Sequence, residues 1–146
     1  MIAYAGGRTE NVGVVVEEVV RATYRDMLTE ADWGAATLVD AIQKKLTGPS
    51  SGELEQTAGI VYRESAPGEP PAYATGVLHD SVKATAARRV GSAVEASYGP
   101  SADFASVLEF GGRNDTGGRV LPRPFVRPAE QETIPKLDAR WRRRLG

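Results

Sequence analysis

Cysteine is absent from the 146-residue chain, which removes disulfides, thiolate catalysis and Cys-ligated zinc or iron-sulfur centres in one step. Histidine occurs once, as His79, so a His-pair zinc site is excluded and any catalytic triad would hang on that single residue. No apolar run approaches the roughly 20 residues that cross a bilayer. Met1 to Arg8 lacks the basic-then-apolar layout of a secretory signal, so a soluble protein with no membrane partner is expected. An excess of charge is missing as well: 18 Lys and Arg face 19 Asp and Glu, a net charge of −1. No global basic field is available to hold a polyanion.

What is present is ordinary globular material, with 41% apolar and 25% charged residues, and this length favours one domain spanning 1–146 around one core. From Val14 to Leu46 there is no proline, and Val16, Val20, Met27, Ala31, Ala35, Leu38, Ile42 and Leu46 recur at helical spacing. A long helix is expected, with a kink or break at Asp32-Trp33-Gly34 and an end before Gly48-Pro49. Gly48 to Gly52 reads as a turn and Thr57 to Glu64 as a short alternating strand. Residues 65–74 form a Pro-rich loop containing Pro67, Pro70, Pro71 and Tyr73, since such proline density forbids helix and central strand alike. Thr75 is placed to cap a short helical turn through Val77, Leu78 and Ser81.

Val82 to Val90 and Ala93 to Tyr98, joined through Gly91-Ser92, read as a β-hairpin. A short helix follows from Ala102 to Phe110, ended by Gly111-Gly112. Residues 111–122 read as a Gly-rich loop carrying Arg113 and Arg119. In the last segment, Pro128 to Leu145, acids stand early (Glu130, Glu132) and bases late (Arg140, Arg142, Arg143, Arg144), the order that complements a helix dipole. Pro135 should kink or restart that helix. The fold class expected is α+β: a long N-terminal helix packed on a mostly antiparallel sheet of about four strands, with a short helix and a C-terminal helix.

Catalytic constellations are missing. The glycine pairs at Gly111-Gly112 and Gly117-Gly118 lack the lysine and the leading strand of a phosphate loop. Asp103 and Glu109 stand six residues apart and do not share a helix face, so both read as helix-surface charges. His79 with Asp80 is a poor acid-base pair, because neighbours in sequence do not easily orient each other toward one reacting atom. Arg140-Trp141-Arg142-Arg143-Arg144 mixes arginine with an aromatic, a pattern able to hold phosphates and stack on bases. A cationic helix end whose Trp141 packs on the core or on a neighbour is the plainer reading.

Three segments carry a resemblance. They are Ala66-Pro67-Gly68-Glu69-Pro70-Pro71 leading into Thr75-Gly76-Val77-Leu78-His79-Asp80-Ser81-Val82; Tyr98-Gly99-Pro100 leading into Phe104-Ala105-Ser106-Val107-Leu108-Glu109-Phe110-Gly111-Gly112; and Pro122-Arg123-Pro124-Phe125-Val126-Arg127-Pro128-Ala129. Taken in this order they resemble the gene-product-ten-like head-tail joining and tail-completion family of long-tailed (siphovirus-type) phages, over roughly Ser65 to Glu130. The resemblance implies a ring subunit, a hexamer by the symmetry of the tail tube, located in the virion neck and assembled in the host cytoplasm. It implies no enzyme activity and no cofactor. Its partners would be copies of itself, connector or stopper, tail-terminator and tail-tube proteins, with genomic DNA passing through unread.

Under the resemblance Thr75, Gly76, Leu78, Leu108, Glu109, Phe110 and Gly111 are fold residues, with Leu78, Leu108 and Phe110 in the core. The assembly candidates are Pro67, Pro70, Pro71, Tyr73, Arg113, Arg119, Pro124, Phe125, Arg127, Trp141, Arg142 and Arg143. The chain departs from the family at His79-Asp80, where basic residues often sit. An acidic first helix (Glu17, Glu18, Asp26, Glu30) and a basic last one offer two complementary ring faces. Alternatives are a tail terminator capping the tube and, from another class, a nucleic-acid-binding module using the C-terminal arginines.

Overall fold

A computed structural model describes residues 2–6, 12–16 and 24–145. The chain opens with two strands, β1 (Ile2–Gly6) and β2 (Val12–Val16), paired antiparallel from Ile2↔Val16 to Gly6↔Val12. Helix α1 covers Tyr24–Leu46. The expected helical start at Val14 is therefore corrected: Val12, Val14, Val15 and Val16 are a β-branched run that loses rotamer freedom in a helix and packs well on a sheet. Val20 lies outside the described residues. From Met27 onward the expected face holds, since Met27, Ala31, Ala35, Leu38, Ile42 and Leu46 are all buried.

No break occurs at Asp32-Trp33-Gly34; α1 runs through it. Gly34 is instead a seat. A Cβ there would stand 2.7 Å from Cζ2 of Trp141, so only glycine lets that indole lie against the helix. The end before Gly48-Pro49 is as expected.

After α1 a ribbon is built from β3 (Leu54–Thr57) and β4 (Ile60–Arg63). The expected strand from Thr57 is thus split by a two-residue turn. Ala58 and Gly59 have φ of 47° and 77°, the left-handed pair that a tight hairpin requires. Helix α2 (Val77–Ser81) follows the proline loop. Thr75 does not cap it: the N-cap position is Gly76, at φ 82°, with no side-chain cap bond.

The hairpin expected from Val82 to Tyr98 is present in three pieces: β5 (Val82–Ala84), β6 (Arg88–Val90) and β7 (Ala93–Pro100). β5 and β6 pair successive stretches of one edge of β7, while β2 pairs the other edge. The sheet is accordingly antiparallel and four strands wide, as expected. Between β5 and β6 side chains complete the ladder: Ser97 N donates to Thr85 Oγ1 at 3.0 Å, and Ala87 N to Asp32 Oδ1 at 2.6 Å. Along β7, Val94, Ala96 and Tyr98 alternate inward, and their two small members let α1 lie close on the sheet.

Helix α3 is Ala105–Phe110. The Gly-rich stretch expected to be a flexible loop is a small hairpin, β8 (Gly112–Arg113) with β9 (Arg119–Val120). Asn114 organises its turn, accepting from Gly117 N at 2.9 Å through its carbonyl and from Gly118 N at 2.7 Å through its side chain. Helix α4 (Val126–Leu145) passes through Pro135 without a restart and packs along α1, which in turn packs on the sheet. The expected α+β class holds, with the strand pair β1–β2 ahead of the long helix. Among the described residues no helix is long and apolar enough to cross a membrane.

Candidate functional site

Glu109 sits at the centre of the region built from the three motif segments. It is 8% exposed and faces the start of α4. Its carboxylate accepts from Phe125 N at 2.8 Å, Val126 N at 3.0 Å and Arg127 N at 2.9 Å. These are the amides a helix start leaves without partners, and the positive end of the helix dipole lies behind them. The expectation of a helix-surface charge is corrected here: Glu109 is a remote cap, reaching across the fold to hold Phe125-Val126-Arg127 in place.

The backbone beside it is tied just as closely. Arg123 N donates to Leu108 O at 2.7 Å, and its guanidinium donates to Ser65 Oγ at 2.6 Å, with Ser65 buried. Gly68 N reaches Pro122 O at 3.3 Å. Gly111, at φ 75°, has Pro122 Cδ only 2.9 Å from where a Cβ would stand. Glu69 closes the proline loop by accepting from Ala66 N and from the amide and hydroxyl of Ser51. These hydrogen bonds, the Ser51 hydroxyl first, hold its carboxyl below the usual carboxylate range. Glu130 is displaced the other way. Burial raises its carboxyl despite the bond that Tyr98 Oη donates to it at 2.9 Å, and the nearby Glu109 adds to the rise.

Tyr73 folds over Gly76, whose absent side chain leaves room for the phenol at 2.7 Å from a would-be Cβ. Its ring meets the His79 ring edge-on at 5.5 Å. His79 Nδ1 and Asp80 Oδ1 meet at 2.9 Å, with the Asp80 side chain largely exposed. Among the described residues no group of three or more His, Cys, Asp or Glu could hold a metal ion.

The assembly candidates divide. Pro67, Tyr73, Arg113, Arg119, Arg127, Arg142 and Arg143 are exposed, and Pro70 and Pro124 are half-buried. Pro71, Phe125 and Trp141 are corrected: all three are buried inside the subunit, Phe125 completely. Phe110 is corrected in the opposite sense. It was expected in the core but is 67% exposed, while Leu78 and Leu108 do pack against the core.

The C-terminal arginines have an internal partner that sequence reasoning missed. Glu30, buried on α1, takes Arg140 Nε at 2.7 Å and Arg144 Nε at 2.6 Å. Arg140 also lies over the Trp33 ring at 3.7 Å, and Trp141 Nε1 donates to Glu30 O at 3.3 Å. Lys45 pairs with Glu132 at 2.6 Å. Glu30 of the first helix is thus joined to Arg140 and Arg144 of the last within one subunit, whereas Arg142 pairs with Asp138 on its own helix; Glu17 and Glu18 lie outside the described residues. The one signal in the sequence was a carboxylate placed on the apolar face of α1, at Glu30 between Met27 and Ala31.

No family model, curated protein or solved structure matches the chain.

Proposed function

We propose that the protein is a structural subunit of a long-tailed phage, a head-tail joining or tail-completion protein acting as one copy in a ring. The observation that carries this reading is that the three motif segments are tied together by hydrogen bonds at residues 122 to 127, with the buried Glu109 carboxylate holding the last of them. Ser65 and Gly68, Leu108 and Glu109, and Pro122 to Arg127 lie far apart in sequence yet share one hydrogen-bonded unit. The three motif segments therefore also form one physical unit of the fold. A scaffold that uses a buried acid to fix the start of a helix suits a part whose task is shape.

Two features support an assembling role. The β3–β4 ribbon presents Leu54 and Val61 at 64% and 65% exposure, and Phe110 stands 67% exposed beside the β8–β9 hairpin. Large apolar groups exposed at projecting elements favour a protein that buries them on a partner. The nucleic-acid reading loses ground, because Arg140 and Arg144 are already paired with Glu30. Tail terminator and connector remain one reading at this level, separated by position in the particle.

Native mass spectrometry of the purified protein, alone and with its tail-tube or connector neighbour, tests the proposal. A ring, or a monomer that becomes a ring with the partner, supports it. A persistent monomer that ignores both but binds DNA overturns it.

A further inference from the structure

We infer that the groove between the last turns of α1 and the middle of α4 is a binding site for a phosphate group, held by Lys44, Lys136 and the hydroxyl of Thr133. The inference goes beyond the ring reading and stands without it.

The groove has a volume of about 420 Å³, more than a lone phosphate fills and enough for part of the molecule that carries it. Thr133 lines it and is only 8% exposed. Its hydroxyl has no hydrogen-bond partner among the described residues. On α1 the hydroxyls of Thr29 and Thr37 behave differently, donating to the carbonyls of Arg25 at 3.0 Å and Trp33 at 2.8 Å, one turn back. A buried hydroxyl without a partner is costly. The Thr133 hydroxyl borders the groove, where an oxygen of a ligand can accept from it.

Charge supplies the second argument. Only four of the 18 basic residues are lysines, and three of those four, Lys44, Lys45 and Lys136, line this groove. Lys45 is already taken, its Nζ standing 2.6 Å from Glu132. Lys44 and Lys136 are exposed and make no ion pair among the described residues. Lys44 and Lys45 lie in the last turn of α1, where cations complement the helix dipole. That account does not extend to Lys136, in the middle of α4. Two acids also border the groove, Asp40 and Glu132. Glu132 is neutralised by Lys45, and Asp40 stands one turn before Lys44, the spacing at which a carboxylate steers a lysine on a helix. Three ammoniums against two carboxylates leave the lining cationic. Two ammoniums and a hydroxyl, offered from two helices, match a group with more than the two oxygens of a carboxylate, and an ammonium is a compact charge suited to phosphate.

The test is an amide-resolved NMR titration of the full chain with orthophosphate, adenosine monophosphate and a short DNA duplex, each at constant ionic strength set with chloride. Saturable shifts confined to the neighbourhood of Lys44, Thr133 and Lys136 are expected. Lys44→Ala and Lys136→Ala, both exposed changes, should each weaken orthophosphate binding about 5-fold. Thr133→Val keeps the shape of the side chain and removes the hydroxyl, and should weaken binding by a similar factor. Asp40→Asn should tighten it, because a like charge is gone. The ligand's source is read from competition. Displacement of orthophosphate by adenosine monophosphate and not by the duplex assigns a free phosphate compound; displacement by the duplex, lost in Lys136→Ala, assigns the DNA backbone. Both outcomes support the site. Shifts no larger than chloride produces overturn it. So does an affinity that Lys44→Ala, Lys136→Ala and Asp40→Asn all leave unchanged, or one that Thr133→Val leaves unchanged in a folded protein.

Discussion

Helix α4 is fastened at both ends by a buried glutamate, and the two fastenings differ in kind. At its start Glu109 receives three backbone amides; at its end Glu30 receives two arginine side chains, one of them 59% exposed. Backbone donors are fixed by the fold itself and have no other partner to turn to. Arginine side chains can swing into water or onto a ligand at little cost. The first end is therefore a lock belonging to the architecture. The second is a fastening whose cations become available once the acid is removed.

The largest effect is expected at the lock. Glu109→Ala strands three donors near the core, and at about 1 to 3 kcal/mol for each buried unmet group the loss should exceed about 3 kcal/mol in a denaturant titration. Glu109→Gln keeps an acceptor but turns an amide donor toward the same N–H groups, so its loss should fall between. Asp103→Asn, an exposed change six residues before Glu109, should sit within about 0.5 kcal/mol of wild type. If Glu109→Ala is equally mild, the amides are satisfied by water and the contrast between the ends collapses.

Gly34→Ala probes the other end without touching a charge. The new methyl must displace Trp141, and overpacking of this kind costs about 1 to 3 kcal/mol. Combining it with Trp141→Leu should recover part of that loss, because the methyl then has room. Strict additivity in the double variant would mean that the indole is not what the methyl meets.

How much of this was legible in the sequence depends on what each residue's role required. The face of α1 from Met27 to Leu46 and the helix end before Gly48 follow from spacing and from glycine and proline chemistry, and both are found. The start of α1 was misread because Val14 to Val16 satisfy a helical stripe as easily as a strand. Only the pairing of β2 with β1 and β7 decides between them. Glu109 and Glu30 were out of reach for a different reason. Their donors stand 16 to 18 and 110 to 114 residues further along the chain, and no local pattern records such a partner. Phe110 and Phe125 changed places for the same cause. Both are aromatics in motif segments, and which one is buried depends on the direction in which α3 is held.

Glu30→Ala should cost less than Glu109→Ala, about 1 to 2 kcal/mol, because the released arginines can reach solvent. Its more telling result lies in binding. With Arg140 and Arg144 freed beside Arg142 and Arg143, affinity for double-stranded DNA should rise and should fall steeply with added salt. A wild-type protein that already binds DNA as well as the variant would show that Glu30 does not restrain the cluster.

The smallest effect is one of pH, and it also sets two carboxylates against each other. Glu130 titrates above its ordinary range in the folded protein because burial disfavours its charge. The folded state then holds a proton that the unfolded chain has released, so its stabilisation is full below the unfolded value and is lost as pH rises through the folded one. Glu69 is lowered by its hydrogen bonds. Its contribution is present above the unfolded value and is lost as pH falls through the folded one. Melting temperatures taken across the acidic range should therefore respond oppositely to two substitutions. Glu130→Gln should flatten the decline on the rising side, and Glu69→Gln should flatten the decline on the falling side. A Glu130→Gln profile parallel to wild type would mean that the bond from Tyr98 Oη compensates the burial of the Glu130 charge in full.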